Sequence, residues 1–558
     1  MTKFMQVNFD KYNPASDKCH HDVRGPEGLD YSPLPRVTWR SFFAAVLVSM
    51  GGLIFGYDTG QISGFLEMPD FLHRFGQPGD DGYQFSKVRS GLIVSLLSIG
   101  TLIGALVAAP IADKIGRRLS LSFWCIVASV GFVIQIAANT AWYQVMIGRF
   151  VTGLGVGALS LLVPMYQAET VPPWIRGANV CAYQLFITFG IFLAACFNYA
   201  TVTHQRDSSA SWRIVLGLGW VWTLILGIGI LFFPETPRHD YRHGRGERAR
   251  ETLCKVWGAP RNHYSVHTQI LEIEDKLREE GTVSSNPVSE FVGMFRAPKM
   301  AYRILLGVGL QALQQLTGAN YFFYYGTTIF KSVQIDSYIT QIILNTINFA
   351  VTFIGLYLVE HYGRRRCLIA GALWMFVCFM IFASVGHFKL DQDDPTRTPG
   401  PGIALIVFAS LFILGFATTW GPMVWTIVAE IFPSRYRAKG MALSTASNWI
   451  WNFLIAFFTP FITGAIDFRY GYVFAACNLL AAVAVYLFVI EGQGRTLEVI
   501  DTMYIKGVKP WHSSKWEPPA PEEIEKIRRE AGTEVPKTSG SSNGHTNGGM
   551  TEHEEGEV

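Results

Sequence analysis

Apolar runs long enough to cross a bilayer alternate with short polar connectors along most of this chain. A spanning helix needs about 20 predominantly apolar residues, each rising 1.5 Å. Such runs fall at about 39–62, 88–111, 119–138, 142–164, 178–200 and 213–233. Six more follow at about 302–330, 338–359, 366–387, 402–429, 438–465 and 471–490. The pattern predicts an all-α membrane protein with twelve transmembrane helices. They fall into two six-helix bundles, 38–235 and 301–495, joined by a polar, charge-rich linker, 236–300. Within the linker, HTQILEIEDKLREE has the spacing of an amphipathic helix packing beneath the bundles. Residues 1–37 carry Pro14, Pro26, Pro33 and Pro35 and read as a disordered arm. Residues 496–558 are polar, end in SGSSNGHTNGGMTEHEEGEV, and read as a mostly disordered tail.

Composition agrees. Half the residues are hydrophobic (50%), only 16% are charged, and mean hydropathy is +0.24, which excludes an ordinary soluble enzyme. The net charge of +3 with no basic run excludes a nucleic-acid partner. The 8 cysteines show no CxxC or Cys/His metal spacing and read as packing residues. No nucleophile–base constellation appears, so neither enzyme chemistry, a cofactor nor a metal is expected. The polar N-terminus is not a cleavable signal, so the first span doubles as the insertion signal. Lys114, Arg117, Arg118, Arg176, Arg364, Arg365, Arg366, Arg435, Arg437 and Lys439 share one side with the linker, whereas Asp391, Asp393 and Asp394 lie on the other. The positive-inside rule makes the first side, and both termini, cytoplasmic.

The two sets of spans repeat each other. IADKIGRR around Asp113 returns as LVEHYGRR around Glu360. Glu169 precedes Arg176 by the spacing that separates Glu430 from Arg437. Glu235 and Arg238 close the first half, Glu491 and Arg495 the second. A duplicated bundle is the arrangement of two lobes rocking about a central site. The duplicated acids and arginines read as a clamp joining the lobes at the cytoplasmic gate; the plainer reading is topology plus surface ion pairs.

The segment Leu310–Gly326, LQALQQLTGANYFFYYG, is unlike a lipid-facing helix. It carries Gln311, Gln314, Gln315, Thr317 and Asn320. Primary amides donate and accept hydrogen bonds without charge, which suits a neutral molecule covered in hydroxyls. On a continuous helix Asn320 would point away from Gln314, so a break at Gly318 is expected to turn them toward one cavity. Depth points the same way. Gln314 lies roughly 18 Å from one end of its span, and Asn348 and Asn448 roughly 15 Å from the ends of theirs, near the midplane of a core about 30 Å thick. Gln341, Asn345, Asn348 and Thr352 form one stripe, Gln184 and Thr188 another, and Asn448 and Asn452 a third. Helix–helix hydrogen bonding is the plainer reading of a single such amide. Asp58 and Arg149, on different spans, reach similar depth and can pair; a static ion pair is the plainer reading.

These motifs resemble the sugar porter family of the major facilitator superfamily over about residues 40–500. The resemblance rests on GYDTGQISG at 56–64, DKIGRR at 113–118, GRFVTGLGVG at 148–157, PETPR at 234–238, QQLTGANYFFYYG at 314–326, VEHYGRR at 359–365 and GPMVW at 421–425. GYDTGQISGFLEMPDFL is most similar to fungal glucose transporters. The resemblance implies a monosaccharide, glucose or a related hexose, bound by Gln184, Gln314, Gln315, Asn320, Asn348, Trp425, Asn448 and Asn452. It implies alternating access by a functional monomer in the plasma membrane. Asp58 would carry a co-transported proton and Arg149 would modulate it. Gly421 and Pro422 would loosen their span for gating. Two departures stand out: Ala417 replaces an acid that vertebrate facilitators carry, and EGQGR replaces the usual ETKG. Rival expectations are a glucose uniporter, a sugar sensor on the same fold, and a quinate-type carrier. The absence of a site-facing Arg or Lys disfavours the last.

Overall fold

The computed structural model describes residues 29–530 except 33, 36–37, 80–81, 173–175, 282–292, 298, 331–335, 392–397, 434–435, 494 and 496. The first half holds helices α1 (Trp39–Phe65), α2 (Pro69–Phe75), α3 (Lys87–Ile115), α4 (Arg117–Ile136), α5 (Trp142–Thr170), α6 (Arg176–Gln205) and α7 (Ala210–Gly229). Three short helices follow: α8 (Pro237–Arg242), α9 (Gly246–Trp257) and α10 (Tyr264–Gly281). The second half holds α11 (Met300–Leu316), α12 (Ala319–Phe330), α13 (Ser337–His361), α14 (Arg364–Phe388), α15 (Pro399–Gly415), α16 (Gly421–Ile431), α17 (Arg437–Ile466) and α18 (Tyr470–Phe488). Then come α19 (Leu497–Ile505) and α20 (Pro521–Glu530).

Among the described residues, 10 helices are long and apolar enough to cross a membrane. One of these, the 50-residue run Lys439–Phe488, contains both α17 and α18, joined by a 3-10 turn at Asp467–Arg469. A further span is interrupted: α11 has 17 residues and α12 has 12, so neither qualifies alone. The twelve expected spans are thereby accounted for.

Caps start the helices where the pattern turns apolar. Thr38 and Ser41 form a reciprocal capping box before α1, and Asp336 accepts from the N–H of Tyr338 and Ile339 before α13. Small residues allow close crossings in the first half: a Cβ on Gly104 would strike the Leu154 backbone carbonyl. The second half packs around clustered aromatics, Phe322, Phe379, Phe382, Phe412 and Phe474.

Three features depart from the sequence reading. A short hairpin, β1 (Gln77–Gly79) with β2 (Gly82–Gln84), interrupts the otherwise all-α chain. In the N-terminal arm, Asp30 exchanges backbone hydrogen bonds with Asn262 and Tyr264, and Leu34 is buried with the linker core of Leu253, Trp257 and Val266. The tail carries helices at Leu497–Ile505 and Pro521–Glu530, and Ile500, Met503 and Tyr504 belong to the core of the second half. Arg303 at the base of α11 donates to Asp501 of α19 at 2.6 Å, both fully buried, with the guanidinium 4.7 Å from the Tyr504 ring.

Candidate functional site

The expected helix break is present. Gly318 takes φ +94°, and a Cβ there would meet Phe474 at 2.7 Å and Phe379 at 2.9 Å, so only glycine fits. The backbone carbonyl of Thr317, freed by the break, accepts from Asn478 at 3.0 Å. A second break lies opposite. Phe416–Trp420 forms a π-turn, followed at once by Gly421 and Pro422. Gln314 bridges the two breaks, donating to the carbonyls of Trp420 at 2.8 Å and Gly421 at 3.1 Å.

Between them lies a central cavity of ≈ 140 Å³. Gln184, Gln314, Gln315, Asn320, Asn348, Trp425, Asn448 and Asn452 all line it. The amides form one network. Asn448 Nδ2 donates to Gln311 at 2.7 Å and to Gln314 at 2.9 Å. Gln315 donates to Asn448 at 2.9 Å, and Asn320 donates to Gln315 at 2.5 Å. Tyr324 donates to Asn452 at 3.0 Å. Asn348 is buried in the wall, one stripe with Gln341, Asn345 and Thr352. The amides therefore bond one another across helices and also face the cavity, so the two sequence readings coexist here.

The sequence reading missed Phe55, Thr59, Phe323, Phe416 and Trp449 in the lining, and Ser98 behind it. Aromatics and hydroxyls are ordinary inside apolar spans, so no local signal marked them. Trp449, next to Asn448, was the most findable. Ala417 is buried within the π-turn. No Arg or Lys lines the cavity among the described residues.

Arg149 Nη1 lies 3.7 Å from Asp58 Oδ1, and both side chains are fully buried. Gln61 donates to the same Asp58 oxygen at 2.7 Å. Asp58 Oδ2 and the Arg149 guanidinium make no hydrogen bonds among the described residues. This loose pairing is costly for buried charges and is readily rearranged.

At the face carrying the arginine-rich loops, the two halves repeat one geometry. Gly116 (φ +94°) and Gly363 (φ +84°) turn the chain so that the next two N–H groups point at one carboxylate. Arg117 and Arg118 N–H donate to Glu235 at 2.9 and 3.1 Å; Arg364 and Arg365 N–H donate to Glu491 at 3.0 and 3.1 Å. Arg117 pairs with Glu169 at 3.3 Å and Arg364 with Glu430 at 3.0 Å. Asp113 pairs with Arg117 at 3.0 Å and Arg242 at 3.3 Å. Apart from Asp113–Arg242, which ties the first half to the linker helix α8, each of these pairs lies within one half. Burial raises the Glu235 carboxyl above its ordinary range, against three backbone N–H bonds. Burial, then His243 and Arg117, push His239 beside it down to about 4. Arg495 turns to the tail, donating to the Trp516 carbonyl at 2.8 Å. Arg238 and Arg437 stand at the same face, in α8 and at the start of α17. The side chains of Arg176 and Glu360 lie outside the described residues, as do Arg435, Asp393 and Asp394.

The opposite face is where the halves meet. Ser63 of α1 bonds Thr327 of α12 at 3.1 Å and accepts from Gln341 of α13 at 3.2 Å. Tyr338 donates to the Gly64 carbonyl at 2.9 Å. Tyr324, Tyr325 and Ala456 pack into the first-half cluster around Tyr57, Ile62 and Phe65.

A profile described as sugar (and other) transporter matches residues 44–504. The chain is similar to a low-affinity glucose transporter of Kluyveromyces lactis, 46% identical over 479 residues, covering 85% of this chain and 84% of that one. It is also similar to the high-affinity fructose transporter ght6 of Schizosaccharomyces pombe, 43% identical over 476 residues, covering 85% and 88%. Among solved structures it resembles the E. coli xylose transporter XylE in a partially occluded inward-open conformation. That match has a TM-score of 0.68 and 26% identity, covering 82% of this chain and all (100%) of that one. XylE as a proton:xylose symporter bound to 6-bromo-6-deoxy-D-glucose matches with a TM-score of 0.67 and 26% identity, covering 83% and 99%. With both the profile and these relatives spanning most of its length, this chain is a multi-pass membrane protein belonging to the sugar transporter family.

Proposed function

We propose that the protein carries a monosaccharide, glucose first among them, across the plasma membrane by alternating access, with a proton moving alongside. The observation that supports this most is the lining of one midplane cavity by uncharged amides and a tryptophan drawn from both halves. Amides pair with vicinal hydroxyls in both directions, and an indole face suits the C–H side of a pyranose. The eight side chains named above are proposed as the sugar contacts. The lack of a described cation in the lining speaks against a quinate-type anion.

Asp58 is the proposed proton carrier and Arg149 its regulator. Their 3.7 Å separation leaves the carboxylate one oxygen without a hydrogen bond, poised to take a proton. The relatives named for glucose and fructose and the neighbour named as a proton:xylose symporter agree with this reading. A uniporter is the second reading, favoured by the same ion pair if it is static. A sensor on this fold is a third.

In the proposed orientation both termini and the arginine-rich face are cytoplasmic, by the positive-inside rule. The twin acid–arginine clusters then form the cytoplasmic gate. In this conformation the contacts between halves concentrate at the outer face, which matches the inward-open state named for the XylE neighbour. The domain limits proposed from the sequence are kept, with Leu497–Glu530 now assigned to a docked segment.

The test is uptake of radiolabelled glucose by yeast lacking its own hexose carriers, with and without a protonophore. Uptake against a gradient that collapses with the protonophore is expected. Uptake unchanged by the protonophore would sink symport and leave uniport standing.

A further inference from the structure

The face where the halves meet is closed at two depths. Ser63, Thr327 and Tyr338 seal its rim. Deeper, where α3 meets α17, Ser98 donates to Asn452 Oδ1 at 2.6 Å, with the two residues 2% and 5% exposed. Tyr324 donates to the same oxygen at 3.0 Å. A carboxamide oxygen offers two lone pairs, so both are taken. Asn452 Nδ2 meets Gln315 Oε1 at 3.5 Å, and Gln315 in turn holds Asn448 and Asn320. Ser98 is therefore the first-half end of a hydrogen-bond chain whose other members line the central cavity in the second half.

We infer that Ser98 is a positioning residue for transport: its hydroxyl holds Asn452 in the closed outer seam, so that Asn452 serves the seam or the sugar, but not both through the same oxygen. The inference rests on the carrier reading above. Opening this face must part α3 from α17. That movement breaks the Ser98–Asn452 bond and frees an amide lone pair at the cavity wall, where a sugar hydroxyl arriving from outside replaces the serine. The bond exists in one state of the cycle only. Its removal therefore shifts the balance between states instead of weakening both, and a ligand or contact moves an equilibrium only by what it contributes differently to the two sides. One buried neutral hydrogen bond corresponds to about a fivefold shift.

The test compares Ser98→Ala with Ser98→Thr, which keeps the hydroxyl. In yeast lacking its own hexose carriers, KM is measured for influx and for efflux of a non-metabolised glucose analogue. Ser98→Ala is expected to raise the efflux-to-influx KM ratio about fivefold, because the outward-open fraction grows. Ser98→Thr is expected to keep the wild-type ratio. Loss of protein from the surface lowers both maximal rates and leaves the ratio alone. A second readout needs no sugar. A cysteine placed by Ala456→Cys, sealed behind the seam, is expected to react about fivefold faster with an impermeant thiol reagent in the Ser98→Ala background. An unchanged ratio and labelling rate, or Ser98→Thr behaving like Ser98→Ala, would overturn the inference. Faster labelling in a protein that moves no sugar would uphold it and sink the carrier reading instead.

Discussion

At the residue scale, polar side chains in this protein hold helices together and face the cavity at once. Gln314 spends its amide N–H groups on the broken backbone at Trp420 and Gly421 and its oxygen on Asn448. Asn320 sits part-buried at the cavity and donates to Gln315. The two substitutions should therefore behave differently. Asn320→Ala should raise the sugar KM about tenfold while leaving surface amounts intact, the loss of one to two neutral hydrogen bonds. Gln314→Ala should do that and also destabilise the fold by about 1–3 kcal/mol, because two buried carbonyls lose their donor. Uptake kinetics together with thermal stability in detergent separate the two, and equal stability of both variants would contradict the clasp. Asp58→Asn tests coupling: a symporter keeps sugar exchange and loses uphill uptake, whereas a uniporter keeps both exchange and net flux.

The amides were legible because uncharged polar groups are conspicuous inside apolar spans. Asn452 was legible as a polar residue at the right depth, but its partner Ser98 was not. Which first-half side chain meets it depends on how α3 and α17 register, and no spacing within one helix carries that.

At the element scale, two helix breaks build the cavity, and both were written in the sequence as Gly318 and Gly421–Pro422. Gly318→Ala should cost about 1–3 kcal/mol for the positive φ alone, with the aromatic contacts adding to it. Melting temperature reports this, and an unchanged value would mean the break is not required. The docked tail was misread because the composition of 496–558 is dominated by its polar end. Ile500, Met503 and Tyr504 are spaced as one helical face, which a shorter window would have caught. Asp501 looked like a solvated charge, and only its burial against Arg303 shows otherwise. Asp501→Ala leaves the Arg303 charge buried and should destabilise the protein by about 3–5 kcal/mol. A stability change under 1 kcal/mol would contradict the pair's role.

At the scale of the whole molecule, the duplicated motifs become duplicated geometry. A glycine, two backbone N–H groups and one distant carboxylate recur in each half, at Gly116 with Glu235 and at Gly363 with Glu491. The repeat was legible; in this conformation the glycine–carboxylate contacts tie each half to itself, whereas the clamp is expected in the state whose cavity opens outward. At the other face the halves are joined by uncharged hydroxyls and tyrosines, with Glu67 accepting from Thr328 and Lys87 donating to the Gly464 carbonyl. The central claim is that one cavity, walled by uncharged amides from both halves, holds a sugar on its way across. Its most direct test is labelled glucose uptake by hexose-carrier-null yeast expressing equal surface amounts of the native protein and Asn320→Ala. Saturable uptake by the native protein, with KM raised about tenfold in the variant, is the predicted result; identical kinetics, or no uptake by either, would contradict it.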